Sequence, residues 1–200
     1  AFGEAVNNLG GDYITAEDVN TDCDDALIMM RKTKHICGLP MNSGDPSPFT
    51  ARGVWQGIKA TAKVALGTDS LEGLTIAVQG LGKVGYDLCR HLHNSGAKLI
   101  IANRSNKAMA EKAVEEFGAK IVGTDEIYAQ ECDIFSPNAM GAILNPTTIP
   151  QLKCKAVAGG ANNQILDDAS GLALKARGIF YAPDFVINGG GVINAAAEVD

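Results

Sequence analysis

The sequence predicts an α/β protein built on a parallel, doubly wound sheet. Three observations carry this. From Leu74 onward, short apolar β-branched runs alternate with segments of helical period. The runs are apolar throughout rather than at every second residue, as strands covered on both faces are. The first run also leads straight into Gly80-Leu81-Gly82-Lys83-Val84-Gly85, a glycine pattern that ends one element and opens the next.

Taken in order, residues 1–14 begin as a short helix-like piece, break at Gly10-Gly11 and continue to Tyr13-Ile14. Thr21 precedes a helix expected over 22–33, which starts with acids and ends with Arg31 and Lys32, the charge order a helix dipole favours. Residues 37–48 are rich in Gly, Pro, Asn and Ser and read as a loop. A helix is expected over 50–66, with Val54, Trp55, Ile58, Ala62 and Ala65 on its period and Gly67 as its stop. Strands are expected at 75–79, 98–102, 120–122, 133–135, 155–158 and 179–181. Helices are expected at 84–94, 106–117 and 167–177, with a short piece at 125–129.

Composition excludes several classes. The chain is 46% hydrophobic and 20% charged, as ordinary globular proteins are. A formal charge of −6 lacks the basic footprint of a nucleic-acid binder or a membrane-surface helix. No apolar run reaches the roughly 18 residues of a membrane span, and the start does not resemble a signal peptide. Cys23, Cys37, Cys89, Cys132 and Cys154 are odd in number and form no C-x-x-C pair. They read as reduced structural thiols of a cytoplasmic protein, not as a disulfide frame or zinc site. His35, His91 and His93 show no ligand spacing and read as packing or surface residues, so no metal is expected. The chain opens without Met and ends inside a helix-forming run from Val192 that has no stop signal, so it reads as a segment of a longer polypeptide.

The glycine turn points to a dinucleotide. A tight turn needs Gly80, close backbone approach to a pyrophosphate needs Gly82, and close helix–strand packing needs Gly85. The helix that follows offers N–H groups and partial positive charge to phosphates. The segment from strand to second strand is therefore a Rossmann unit, and Gly80, Leu81, Gly82, Lys83, Val84 and Gly85 are cofactor-binding candidates. About 20 residues beyond such glycines an acid usually accepts from the ribose 2′-OH of NAD. Here Asn103-Arg104-Ser105 stands instead. Arg104 and Ser105 suit a 2′-phosphate, while Asn103 also suits the ribose hydroxyls of NAD, so both NAD and NADP stay open. Asn138 and Ala139 follow the fourth strand, at the carboxyl edge where open α/β sheets bind ligands.

Four separated motifs occur in order: Ser43-Gly44-Asp45-Pro46-Ser47-Pro48-Phe49-Thr50-Ala51, Val78-Gln79-Gly80-Leu81-Gly82, Gly160-Ala161-Asn162-Asn163-Gln164, and Ala182-Pro183-Asp184 through Asn188-Gly189-Gly190-Gly191-Val192-Ile193-Asn194. The set resembles the glutamate/leucine/phenylalanine/valine dehydrogenase family, most of all its leucine dehydrogenase-like branch. The resemblance implies reversible oxidative deamination of an L-amino acid to a 2-oxo acid and ammonia, in a homo-oligomer. It implies Asp18, within Glu17-Asp18-Val19-Asn20-Thr21, as the catalytic acid/base. It places Thr50, Asn162 and Asn188 near the nicotinamide or substrate, and Val192 and Ala195 on the side-chain pocket, which implies a branched aliphatic or larger hydrophobic substrate. Asn20 departs from the glycine of the leucine branch, and the family's glycine-flanked lysines do not occur before Asp18. The segment alone is thus expected to bind cofactor without turning over substrate. The implied organisation is residues 1–50 as the end of a substrate domain and its cleft segment, and 51–200 as the NAD(P)-binding domain. The competing readings are a non-catalytic dinucleotide-binding module on the same fold and another dehydrogenase of similar architecture, such as a shikimate-type enzyme, which Asn103-Arg104-Ser105 suggests and the Pro183-Asp184, Gly189-Gly190-Gly191 and Asp18 motifs weigh against.

Overall fold

The computed structural model describes residues 1–18, 21–104 and 106–198. In chain order the helices are α1 (Phe2–Asn8), α2 (Cys23–Met30), α3 (Ser47–Leu66), α4 (Lys83–Asn94), α5 (Lys107–Phe117), α6 (Asp168–Ala176), α7 (Asp184–Ile187) and α8 (Gly190–Ala196). The strands are β1 (Thr75–Gln79), β2 (Lys98–Ala102), β3 (Lys120–Ile121), β4 (Ile134–Pro137), β5 (Ala156–Val157) and β6 (Phe180–Tyr181). Two compact units result: Ala1–Phe49 with Gly190–Asp200, and Thr50–Gly189.

The larger unit holds a six-stranded sheet in the order β3-β2-β1-β4-β5-β6. Every pairing in it is parallel. Because β1 lies between β2 and β4, the strand order reverses there, and the crevice beyond the carboxyl ends of β1 and β4 is where such sheets take ligands. Side chains alternate between the two faces. Ile76, Val78, Leu99, Ile101, Ile134 and Ala156 join one apolar cluster, with Val54, Ile58, Leu88 and Leu92 from α3 and α4. Ala77, Ile100, Ala102, Phe135 and Val157 join the other, with Leu144, Ile149 and Leu174. This two-sided burial is the physical reason the strands read as unbroken apolar runs. His91 stacks on Trp55 with ring centres 5.3 Å apart, and His93 packs on Phe117.

Several boundaries differ from the sequence expectation. α3 begins at Ser47 because Asp45 accepts its N–H at 2.8 Å, and Pro48 in the first turn gives up no helical bond. α2 stops at Met30, although its start is as acidic as expected: Asp22 and Asp25 form a reciprocal capping box. The segment at 125–129 is a 3-10 turn, Ile127–Ala129. β3, β5 and β6 shrink to two residues each. The outermost two, β3 and β6, leave only short open edges.

The smaller unit packs α1 on α2 and joins Thr15 to Ile36 by a parallel bridge. Ala26, Ile36 and Leu39 form its apolar centre. Periodicity along the chain gives no reason to set residues 190–200 apart from the domain before them; the reason is tertiary. The Glu198 carboxylate accepts the N–H groups of Gly38 at 3.0 Å and Ser43 at 2.8 Å, the Asn42 amide at 3.3 Å, and the Ser43 hydroxyl. Burial opposes its charge, but these donors outweigh burial and hold its pKa below 4.5.

Candidate functional site

β1 ends at Gln79, and Gly80 turns the chain with φ +90°, a value open to glycine. A Cβ on Gly80 would also lie 2.8 Å from the Ala139 methyl, so Ala139 is the wall against which the turn closes. The Gly80 N–H donates to the Ala102 carbonyl at 2.8 Å, which carries the β1–β2 ladder one residue beyond the strand. A Cβ on Gly85 would strike the Gly80 carbonyl oxygen and lie 3.0 Å from its carbon. Gly80 and Gly85 are therefore required by the fold itself.

Gly82 is different. Its φ of −75° and ψ of −167° are open to any residue, and an added Cβ would meet nothing within 4 Å. Neither conformation nor internal packing calls for glycine there. The backbone there is open to approach from outside. Gly82 is also the N-cap of α4, which has no capping side chain and no acid in its first turn. The helix end thus keeps its partial positive charge for an anion. Leu81 is buried, Val84 packs partly on the core and Lys83 is exposed.

At the exit of β2, Asn103 is engaged with the fold: its Oδ1 accepts the Leu81 N–H at 3.2 Å and its Nδ2 donates to the Asn106 carbonyl at 2.8 Å. Asn103 thereby pins this loop to the glycine turn. Arg104 is exposed and makes no ion pair among the described residues, while Lys107 pairs with Glu111 at 3.7 Å. Ser105 lies outside the described residues.

Asn138 also works inside the fold. Its Nδ2 donates to the carbonyl and hydroxyl of Ser136, both at 3.0 Å, and its Oδ1 accepts the Gly160 N–H at 2.8 Å. The exits of β4 and β5 are joined through this one amide. Asn188 donates its Nδ2 to Asn162 Oδ1 at 2.6 Å and to the Gly160 carbonyl at 3.3 Å. Among the described residues, Asn162 Nδ2 and Asn188 Oδ1 have no partner, so the pair presents one amide donor and one acceptor. That is the complement of a carboxamide.

Gln164, which sequence reasoning assigned no role, organises this loop. It is fully buried and donates to the carbonyls of Gly159 at 2.7 Å and Ala161 at 2.9 Å. Its backbone N–H donates to Asp184 Oδ2 at 3.2 Å. The available signal was a long polar residue placed beside the Asn162-Asn163 pair.

Asp18, Val192 and Ala195 fall in the smaller unit. Asp18 is tied to Thr21: its N–H donates to Thr21 Oγ1 at 2.7 Å, and its carbonyl accepts that hydroxyl at 2.9 Å. Val19 and Asn20 of the same motif are outside the described residues. Val192 and Ala195 are three apart on α8 and share a face, with Val192 74% exposed. Thr50, in the first turn of α3, opens the larger unit.

The chain is similar to known proteins along its whole length. The family model described as Glutamate/Leucine/Phenylalanine/Valine dehydrogenase matches residues 99–200. A leucine dehydrogenase of Thermoactinomyces intermedius is 54% identical over 100% of this chain and 55% of its own length. An L-tryptophan dehydrogenase of Nostoc punctiforme is 45% identical over 100% of this chain and 56% of its own. The crystal structure of L-tryptophan dehydrogenase from Nostoc punctiforme superposes with a TM-score of 0.83 at 41% identity, covering 98% of this chain and 57% of that one. The chain thus spans about half the length of the relatives it matches.

Proposed function

This chain belongs to the glutamate/leucine/phenylalanine/valine dehydrogenase family, and from that premise we propose that the whole protein catalyses reversible NAD(P)-dependent oxidative deamination of a hydrophobic L-amino acid. Substrates of the leucine, valine, phenylalanine or tryptophan type would yield the 2-oxo acid and ammonia. The observation that carries the reading is Gly82: neither its backbone conformation nor packing within the chain requires glycine, and it stands at the uncapped N-terminus of α4. When bound, a nicotinamide dinucleotide supplies the hydride acceptor.

The chain's own residues divide the remaining work. The turn Gly80–Gly85 and the first N–H groups of α4 hold the pyrophosphate, with Ala139 and Asn138 closing its back. Asn162 and Asn188, with Thr50, orient the carboxamide and the substrate. Asp18 takes a proton from the substrate ammonium and activates the attacking water on its carboxylate oxygens. Val192 and Ala195 line an apolar pocket, which selects by shape at about 1–3 kcal/mol per methylene. The smaller unit belongs to the substrate domain. The protein acts in the cytoplasm as a homo-oligomer.

For the ribose, this reading favours acceptance of the 2′-phosphate. No acid follows β2, the Asn103 amide is occupied within the fold, and the Arg104 guanidinium has no ion-pair partner among the described residues. NADP should therefore serve at least as well as NAD.

The test uses the full-length protein with NAD and NADP against leucine, valine, phenylalanine, tryptophan and glutamate. Asp18→Asn should lower kcat by about 10²–10⁴-fold while leaving the Kd of reduced dinucleotide within about twofold. Failure of the wild type to reduce either dinucleotide with any amino acid, or full turnover by Asp18→Asn, would overturn the proposal. Glutamate as best substrate would remove the hydrophobic specificity.

A further inference from the structure

Cys132 and Cys154 precede neighbouring parallel strands. Ile134 of β4 pairs with Ala156 of β5, and the bridge between Glu131 and Lys153 keeps the same register, so the two cysteines stand opposite each other. Both side chains join the same apolar cluster, on one face of the sheet. Adjacent strands lie about 4.8 Å apart, within the roughly 4.4–6.8 Å between Cα atoms that a disulfide spans. Cys154 is buried and Cys132 only partly so, which leaves the pair a route to a small reagent.

The two thiols also shift each other in opposite directions. The neighbouring Cys154 sulfur and burial together push the Cys132 thiol well above the ordinary thiol value. The neighbouring Cys132 lowers the Cys154 thiol against the cost of burial, with help from Arg177. Arg177 is fixed nearby by donating to the carbonyls of Ile149 and Leu152. Asp133, also beside the pair, adds negative charge that disfavours a thiolate at Cys132. A thiol of lowered pKa beside one of raised pKa is the arrangement of a nucleophile beside its resolving partner.

We propose that Cys132 and Cys154 form a peroxide-oxidisable dithiol, a reversible disulfide site at the amino-terminal edge of the sheet, away from the glycine turn at its carboxyl edge. The Cys154 thiolate attacks one oxygen of hydrogen peroxide. The O–O bond breaks, the departing hydroxide takes up a proton as water, and Cys154 becomes a sulfenic acid. The Cys132 sulfur then attacks the Cys154 sulfur. The S–O bond breaks, and the hydroxide leaves as water with the Cys132 proton. Two thiols lose two electrons in all, and one peroxide becomes two waters.

The test treats the native full-length protein with a few equivalents of hydrogen peroxide, alkylates the remaining thiols and maps peptides without reduction. One linked peptide pair, Cys132 with Cys154, is expected, and dithiothreitol should reverse it. Cys89, fully buried with its thiol pushed to about 12, serves as the slow internal control and should react at least about tenfold more slowly. In Cys132→Ser the link should vanish and dimedone should trap Cys154 as its sulfenic acid. Cys154→Ser should show neither link nor adduct at that position. Complete alkylation of both thiols after peroxide, or linkage through other cysteines, would overturn the proposal. So would loss of Cys132 and Cys154 no faster than Cys89. The wild-type peptide map decides the matter even where a variant fails to fold.

Discussion

Replacing Gly82 by alanine separates a glycine kept for a ligand from one kept for the fold. The backbone at Gly82 is one that alanine adopts, and the added methyl meets no atom of the chain. Restricting the unfolded chain should stabilise the variant by about 0.4–1 kcal/mol. Against this, alanine is a poorer N-cap than glycine by about 0.5 kcal/mol. The two nearly cancel, and the net change in stability should stay within about 0.5 kcal/mol. Binding should change far more. The methyl occupies the space through which a phosphate oxygen reaches the backbone, and losing one charge-assisted bond costs about 1.5–3 kcal/mol. That is roughly a tenfold to 150-fold rise in Kd. Gly85→Ala is the counterpart: its methyl strikes the Gly80 carbonyl, so an overpacking cost of about 1–3 kcal/mol is expected together with weakened binding. Urea unfolding and calorimetric titration with NADH and NADPH read both quantities. If Gly82→Ala binds dinucleotide within about twofold of wild type, or loses as much stability as Gly85→Ala, no ligand approaches Gly82 and the reasoning fails.

Three further outcomes follow from particular contacts. Arg104→Ala should raise the Kd of NADPH about tenfold or more, the worth of one charge-assisted contact, and leave that of NADH almost unchanged; equal effects on both would exclude a 2′-phosphate role. Glu198→Gln should lower stability at neutral pH by about 1 kcal/mol after allowance for solvent. Because folding depresses the Glu198 pKa, that stabilisation is present above 4.5 and disappears as pH falls through the lowered value, so wild type and variant should converge in acid urea melts. Asn138→Ala strands the Gly160 N–H and the buried Ser136 hydroxyl, which should cost about 1–3 kcal/mol. An unchanged melting curve would show that Asn138 does not join the exits of β4 and β5.

What the chain determines by itself is whatever rests on neighbours along it. The strand–helix alternation from Leu74, the turn at Gly80 and the clash that excludes a side chain at Gly85 all lie within a few residues, and sequence reading found them. The acids that open α2 were equally legible. Other features were decided only when distant segments met. The two-residue strands β3, β5 and β6 are made by the ladders beside them rather than by their own residues. Asn138 and Asn188 each had a legible residue type but an illegible partner, since hydrogen bonds to Gly160 and Asn162 depend on the order in which strands assemble. Glu198 gathers the 38–43 loop from the far end of the chain. Cys132 and Cys154 look widely separated until parallel register sets them face to face. A side chain's period is local and readable, whereas its partner is chosen by topology, and topology belongs to the whole sheet.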